Sequence, residues 1–183
     1  MFYTQEQLHQ FNFKSFGKNV LISDKACIYN SQNIEIGNNV RIDDFCILSP
    51  GGLLKFGNYI HISCYASIIG KGDVIFEDYT GISGRVSVYS SNDDYSGRAM
   101  TNPTIPIECR RVTNGDVIFK KHTIVGAGSI ILPQVTLGEG ACVHALSLVF
   151  KDCDAYGVYS GNPAVKIRER RRDLLKYENL IDL

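Results

Sequence analysis

Residues 56–62 of the chain read FGNYIHI, and near copies of this segment recur along the sequence. The copies are twenty residues apart in the first half of the chain and eighteen apart near its end, and they begin at Phe16, Ile36, Phe56, Phe76, Phe119 and Leu137. Within each copy an apolar residue returns at every sixth position. A six-residue period matches neither an α-helix nor a strand with one buried face. It is typical of a parallel β-helix, in which three six-residue segments form one coil.

The side chains at the repeating positions support this prediction. Every one of them is Phe, Ile, Leu or Val, although only 44% of the whole chain is hydrophobic. The side chain four residues further on is usually small or of medium size, as at Ala26, Val40, Cys46, Ala66, Thr80, Ser129, Val135, Ala141 and Ser147. We therefore expect each short strand to point one bulky side chain inward, and each smaller residue to fill a narrow corner between strands.

The ends of the repeat divide the chain into three parts. Residues 1–15 carry Thr4 and Gln7 at the spacing of a capping box, which predicts a short helical cap over the first coil. Residues 16–163 are predicted to form the β-helix, and residues 164–183 a C-terminal helix. The repeat stops between residues 89 and 116, which predicts an inserted loop, and unstructured loops of this length are usually functional.

The composition bounds the function. Nineteen basic and nineteen acidic residues cancel, so the net charge gives no reason to expect nucleic acid or an anionic membrane as a partner. The apolar runs are too short to span a bilayer, and the N-terminus does not resemble a signal peptide. The six cysteines form no CxxC pair, which predicts free thiols in a reducing cytoplasm.

The repeats, together with the segment YSGNPAVKIRER at 159–170, resemble the hexapeptide-repeat acyltransferases. The segments RIDDFCILS, GNYIHIS and VYSSNDDYSG are similar to enzymes that acetylate dTDP-4-amino-4,6-dideoxyglucose. This resemblance implies an all-β fold, a left-handed parallel β-helix of hexapeptide repeats with a long inserted loop and a C-terminal helix. It also implies a homotrimer with each active site between two prisms. Acetyl-CoA is then the co-substrate, with no tightly bound cofactor and no metal.

The resemblance also directs attention to the mouth of the loop. The related sugar O-acetyltransferases carry their basic histidine just after the last repeat position before the loop, and this chain has Asp93 there, followed by Asp94. A sugar amine with a pKa of about 8 needs no strong base, so the change favours N-acetylation. The aspartates would then orient the amine and accept its proton, or they merely cap a turn. His122, in the first coil after the loop, is either a second candidate base or a packed interface histidine.

The remaining candidates fall into an acceptor group and a CoA group. His61 and Ser63, one coil before the loop, and Asn92 and Tyr95, at its mouth, are predicted to bind the acceptor. The resemblance implies that CoA lies along the later coils, where small residues let its thiol arm approach the backbone and basic residues meet its phosphates. The CoA group comprises Gly126, Ala127, Ala145, Lys151, Asn162, Lys166 and Arg168. For the basic members the alternative is a solvated charged surface.

The predicted function is transfer of acetyl from acetyl-CoA to the amino group of a nucleotide-linked amino sugar in O-antigen or surface polysaccharide biosynthesis. Two alternatives stay open. One is O-acetylation of a sugar hydroxyl, with His122 or an aspartate as the base. The other is a β-helix that binds a metal or has no catalytic role, although His61, His122 and His144 occupy different positions of the repeat.

Overall fold

The computed structural model describes residues 1–181, and its main body is a parallel β-helix with three faces. The first sheet contains β1 (Ser15–Phe16), β4 (Ile34–Ile36), β7 (Leu54–Phe56), β10 (Val74–Phe76), β15 (Val117–Phe119) and β18 (Val135–Leu137). The second sheet contains β2 (Leu21–Ile22), β5 (Val40–Ile42), β8 (Ile60–Ile62), β11 (Gly81–Ile82), β16 (Ile124–Val125), β19 (Cys142–Val143), β21 (Gly157–Ser160) and β22 (Val165–Glu169). The third sheet contains β3 (Cys27–Ile28), β6 (Ile47–Pro50), β9 (Ser67–Gly70), β12 (Ser87–Tyr89), β17 (Ile130–Ile131) and β20 (Leu148–Val149).

A smaller set of elements lies outside these three sheets. A hairpin is formed by β13 (Ser91–Asp93) and β14 (Val112–Asn114). The helices are α1 (Gln5–His9) and α2 (Leu175–Ile181), and short 3₁₀ turns occur at Ser31–Asn33 and Ile107–Cys109. Within the described part of the chain, neither helix is long and apolar enough to cross a membrane.

The register of the strands confirms the β-helix that the sequence period predicts. Equivalent residues of successive coils are paired, so that Phe76 lies beside Phe56 on one side and Phe119 on the other. The bulky residues at the repeating positions form the buried core, except that Phe16 and Ile28 near the N-terminal end are only partly buried against it. Inside the prism, the Phe76 ring stacks on Phe56 at 5.2 Å and on Phe119 at 4.2 Å between ring centroids.

The chain turns at three corners in each coil, and we number each corner after the sheet that precedes it. One residue has a positive φ at the first corner of every coil and at the second corner of every coil after the first, so equivalent side chains stand above one another. Tyr59, Tyr79 and His122 form such a ladder at the first corner, with successive ring centroids 5.0 and 5.1 Å apart. Phe45 and Tyr65 stack in the same way at the second corner. The corners therefore determine which outward side chains meet.

The N-terminal end has the predicted helical cap. Thr4 Oγ1 accepts the Gln7 N–H, and Gln7 Oε1 accepts the Thr4 N–H at 2.9 Å, which completes the capping box. Leu8 is fully buried and belongs to the same core as the coils. The helix therefore covers the open end of the core, where strand edges would otherwise be unpaired.

The prediction of one C-terminal helix over residues 164–183 is wrong for its first part. Residues 165–169 form β22, which runs antiparallel to β21, and the helix α2 begins only at Leu175. The physical reason is that β21 ends the second sheet and has a free edge, which β22 covers by hydrogen bonding. The helix α2 then reaches the first corner, where Glu178 contacts Lys121 and His122.

Candidate active site

The inserted segment starts and ends as the hairpin of β13 and β14, which leaves the prism at the third corner. Ser91 lies opposite Asn114, Asn92 opposite Thr113, and Asp93 opposite Val112. The Ser91 hydroxyl donates to Asn114 Oδ1 at 2.7 Å, which ties the base of the hairpin together. Asp93 is thus held on a paired strand and not in an irregular loop.

The two adjacent aspartates have different surroundings. The Asp94 carboxylate accepts hydrogen bonds from the Ser96 hydroxyl at 2.6 Å and from the Ser96 and Ala99 N–H groups at 2.9 Å each. These bonds, the one from the Ser96 hydroxyl first, hold the pKa of Asp94 below its usual value. Within residues 1–181 the Asp93 carboxylate has no such partner. Asp94 therefore fits the turn-capping alternative, and Asp93 is the aspartate available to a substrate.

Three of the predicted residues line one cavity of about 510 Å³, which we call the hairpin cavity. It lies between the hairpin and the outer side of the third sheet. Its lining comprises Tyr89, Ser91, Asn92, Asp93, Tyr95, Ile130, Leu132 and Leu148. The cavity therefore places the Asp93 carboxylate beside an apolar wall formed by Ile130, Leu132 and Leu148.

His122 is not part of this cavity. Its side chain is only 9% exposed, because its ring stacks on Tyr79 and its Nε2 lies 3.1 Å from a Glu178 carboxylate oxygen. The Arg170 guanidinium also donates to the His122 carbonyl at 2.8 Å. The C-terminal helix of its own chain covers this histidine on the outside of the prism. The geometry favours the packed histidine over the base.

We therefore expect His122→Asn to leave the catalytic rate nearly unchanged and to lower the melting temperature. The substitution removes the ring stack and the contact with Glu178 but no group that faces the hairpin cavity. Steady-state kinetics and thermal unfolding of the same preparation test this. A large loss of kcat with an unchanged melting temperature would instead indicate that His122 is the catalytic base.

The other predicted acceptor residues lie apart from the hairpin cavity. His61 is on the outer side of the second sheet, where its Nε2 is 2.8 Å from Asp43. Asp43 also accepts a hydrogen bond from Arg41 Nε at 2.7 Å. Ser63 lies at the second corner, where its carbonyl accepts from the Cys46 thiol. Within one prism these two residues do not contact the residues at the mouth of the loop.

A second cavity of about 570 Å³ follows the second corner of the later coils, and we call it the corner cavity. Two predicted CoA residues, Ala127 and Ala145, line it. A Cβ atom at Gly126 would lie 2.4 Å from the Ala145 nitrogen, so this glycine is needed where the two coils approach. Sequence reasoning missed the other lining residues, which are Cys64, Tyr65, Gly84, Arg85, Gly128 and Leu146. The sequence feature that these residues share, and by which they could have been found, is that each occupies a corner position of the six-residue period.

The basic residues near the C-terminus are only partly brought together. Lys151 and Lys166 line one cavity of about 300 Å³, the terminal cavity. Lys166 is held there by Glu169 at 2.8 Å and Asp154 at 3.1 Å, and these hydrogen bonds raise its pKa. Arg168 and Asn162 do not line this cavity, and the Arg168 guanidinium donates to the Glu169 carbonyl.

No family model matches the chain, but individual proteins do. It is 53% identical over 175 residues to a dTDP-4-amino-4,6-dideoxy-D-glucose acyltransferase of Escherichia coli, with 95% of this chain and 91% of that protein covered. AntD, an N-acyltransferase from Bacillus cereus in complex with dTDP and 3-hydroxybutyryl-CoA, superposes with a TM-score of 0.95 at 48% identity, over 98% of this chain and 95% of that chain.

Other AntD structures are similar to the chain to nearly the same degree. A variant bound to dTDP-4-amino-4,6-dideoxyglucose and coenzyme A also superposes with a TM-score of 0.95 at 48% identity, over 98% of this chain and 96% of that one. The AntD variants are changed at a serine and at an aspartate ten residues further along. The repeats, the buried core and the sequence identity over nearly the whole chain all point to the same family. The chain therefore belongs to the dTDP-4-amino-4,6-dideoxy-D-glucose acyltransferase family of hexapeptide-repeat enzymes.

Proposed function

We propose that the protein transfers the acyl group of an acyl-CoA thioester to the 4-amino group of dTDP-4-amino-4,6-dideoxyglucose. The observation that carries this proposal is the 53% identity to an acyltransferase of that name over 95% of the chain. The chemistry of the hairpin also supports the proposal, because the hairpin carries a carboxylate without a hydrogen-bond partner and contains no histidine. A carboxylate is a weak base, which suits an amine better than a hydroxyl.

In the proposed reaction Asp93 orients the amine and accepts its proton. The neutral nitrogen attacks the thioester carbonyl carbon and loses one proton to the Asp93 carboxylate as the carbon–nitrogen bond forms. The carbon–sulfur bond breaks with its electron pair on the CoA sulfur, and this thiolate takes up the proton, so that the products are the amide and free CoA thiol and Asp93 is again a carboxylate. We add Ser83 as a second polar group, because it precedes Asp93 by ten residues, the same separation as the serine and aspartate changed in AntD. Ser83 stands at the second corner, immediately before Gly84 of the corner cavity.

We further propose that CoA follows the later coils, with its thiol arm in the corner cavity and phosphates near Lys151 and Lys166. The corner cavity and the hairpin emerge at different corners of one prism. A homotrimer, in which a neighbour's corner faces the hairpin, would join them into one site. Acetyl is the proposed acyl group, and 3-hydroxybutyryl, present in an AntD complex, is the alternative. A cytoplasmic role in surface polysaccharide biosynthesis is part of the same proposal.

The test is a thiol-release assay with two donors and two acceptors. The donors are acetyl-CoA and 3-hydroxybutyryl-CoA, and the acceptors are the dTDP-4-amino sugar and its 4-hydroxyl counterpart. We expect release only with the amine, with acetyl-CoA the better donor, and a product whose mass has increased by one acyl group. Release with the hydroxyl acceptor alone would establish O-acylation, and absence of release with both would contradict the proposal.

The two lysines of the terminal cavity give a prediction about the donor. We expect the double variant Lys151→Ala, Lys166→Ala to raise the KM for acetyl-CoA about tenfold or more, because hydrogen bonds to charged groups each contribute roughly 1.5–3 kcal/mol. The KM for the sugar nucleotide should change little. Arg168→Ala is the matched control, since Arg168 is on the same strand outside the cavity. An equal rise in both variants would show that the cavity has no special part in CoA binding.

A further inference from the structure

The apolar wall of the hairpin cavity, formed by Ile130, Leu132 and Leu148, has no part in the reaction proposed so far. The opposite side of this cavity is the hairpin, which lines it with the polar side chains of Asn92 and Asp93. The cavity thus has two sides of different chemistry, and the proposed reaction uses only the polar one.

The fold places the apolar wall on the outer side of the last coils. Ile130 of β17 is paired with Leu148 of β20, so the two side chains lie one above the other on successive coils. On its other side Ile130 is paired with Ser87 of β12, whose hydroxyl accepts a hydrogen bond from the Ser67 hydroxyl at 3.2 Å. This row of outward side chains therefore changes from hydroxyl to aliphatic groups where the inserted loop leaves the prism.

The position of the wall indicates a ligand. Ile130 is 38% exposed, and a single exposed aliphatic side chain is common on protein surfaces and needs no explanation. Here, however, three aliphatic side chains line one cavity of about 510 Å³ together with a carboxylate. Small-molecule sites combine an apolar lining with a few polar groups in this way. The apolar wall is therefore suited to an apolar part of a substrate.

The acyl chain of the donor is an apolar group that has to come close to Asp93. In the proposed reaction Asp93 holds the amine, and the reacting nitrogen and carbonyl carbon must approach to about 3–3.5 Å before the bond forms. The chain is bonded directly to this carbon, so it begins within a few bond lengths of the carboxylate. The sugar hydroxyls are better matched by the hairpin side, where Ser91 and Asn92 offer hydrogen bonds.

We propose that the apolar wall binds the alkyl chain of the acyl donor, with Ile130 as the central contact, so that the enzyme accepts unbranched acyl groups from acetyl to butyryl. This inference rests on the proposed function for the reaction and for the place of the amine beside Asp93. Adjacent coils are roughly 4.8 Å apart, so the span from Ile130 to Leu148 corresponds to about three to four carbon–carbon bonds of an extended chain. Because β20 is the last strand at this end of the third sheet, a longer chain would pass beyond the wall.

The test uses thioethers of CoA, which carry an alkyl chain on the sulfur but have no carbonyl carbon to transfer. Titration calorimetry gives the Kd of CoA, S-ethyl-CoA, S-butyl-CoA and S-hexyl-CoA. We expect the parent protein to bind S-butyl-CoA about tenfold more tightly than S-ethyl-CoA, because each buried methylene group increases affinity roughly fourfold. S-hexyl-CoA should bind no more tightly than S-butyl-CoA.

Substitutions of Ile130 test the contact itself. We expect Ile130→Ala to reduce the difference between S-butyl-CoA and S-ethyl-CoA to about threefold or less, and to leave the Kd of CoA unchanged. Ile130→Val keeps a branched side chain and should retain most of the difference. Ile124→Ala is the matched control, because Ile124 is 44% exposed on a strand of the same coil and lies outside the hairpin cavity.

The inference is overturned if the parent protein does not distinguish the two shorter thioethers, or if Ile130→Ala distinguishes them as well as the parent does. An equal loss of affinity for CoA itself would assign the wall to the pantetheine arm instead. A changed mass of Ile130→Ala in light scattering would assign it to a contact between subunits. If Ile130→Ala does not fold, Leu148→Ala provides the same comparison at the other end of the wall.

The result can be separated from the proposed function, because thioether binding requires no turnover. Chain-length dependence that is lost in Ile130→Ala, in a protein without transferase activity, would refute only the reaction. Turnover of acetyl-CoA by a protein whose thioether affinities do not depend on chain length would refute only the role of the apolar wall.

Discussion

Asp93→Asn is expected to lower kcat/KM for the amino sugar by about 10- to 100-fold without abolishing it, because general-base assistance typically contributes about 10²–10⁴-fold and a partly deprotonated amine needs the lower end. The amide can still orient the amine but cannot accept its proton. Residual activity of this variant should therefore rise between about pH 6 and 9 as the sugar ammonium, with a pKa of about 8, loses its proton in solution. Kinetics at saturating acyl-CoA across this range provide the measurement.

Asp94→Asn is the matched control for this experiment. Asn keeps one side-chain oxygen, so it retains part of the hydrogen bonding to Ser96 and Ala99 that orders the loop. We expect a smaller loss of activity than for Asp93→Asn, with the pH profile of the parent enzyme. If the acceptor is a hydroxyl, loss in Asp93→Asn should be nearly total. A flat pH profile, or full activity in both variants, would place the proton acceptor elsewhere.

Phe76→Ala should destabilise the protein by about 3–5 kcal/mol and lower its melting temperature by roughly 6–20 °C. The Phe76 side chain is 1% exposed and lies in the aromatic stack between Phe56 and Phe119. Truncation leaves a cavity in the centre of the prism, which rigid coils above and below cannot fill. Denaturant and thermal unfolding measure the change.

Phe45→Ala provides the comparison for this prediction. Phe45 also stacks on an aromatic ring, that of Tyr65, but it is 45% exposed at the second corner. Its truncation removes a similar contact without opening a buried cavity, so the loss of stability should be clearly smaller. Equal losses in the two variants would mean that stacking, and not burial in the prism, accounts for the effect.

The coils could be predicted because the sequence pattern that specifies them is local and is repeated in every coil. Each bulky residue such as Ile62 or Phe76 is followed six positions later by another, and each coil meets the next in the same register. The capping box of Thr4 and Gln7 is equally local, since it needs only two side chains three residues apart. The position of the insertion followed from the same period, because the repeat stops at Tyr89 and resumes near Val117.

The candidate site was less accessible to sequence reasoning. Asp93 and Asp94 are neighbours of identical chemistry, and only the folded loop shows that Asp94 binds Ser96 and Ala99 whereas Asp93 does not. The fold of residues 98–111 could not be predicted either, because no period governs that segment.

By itself, then, the six-residue period determined the strands, the inward side chains and the place of the loop. The tertiary structure alone decided which charged groups meet. His122 is covered because Glu178 reaches it from 56 residues away, and residues 165–169 form a strand because β21 has a free edge. The physical reason is the range of the interactions. Burial of one side chain in six is encoded within each coil, whereas a salt bridge or a strand edge depends on segments that are distant in the chain and meet only after the coils have stacked.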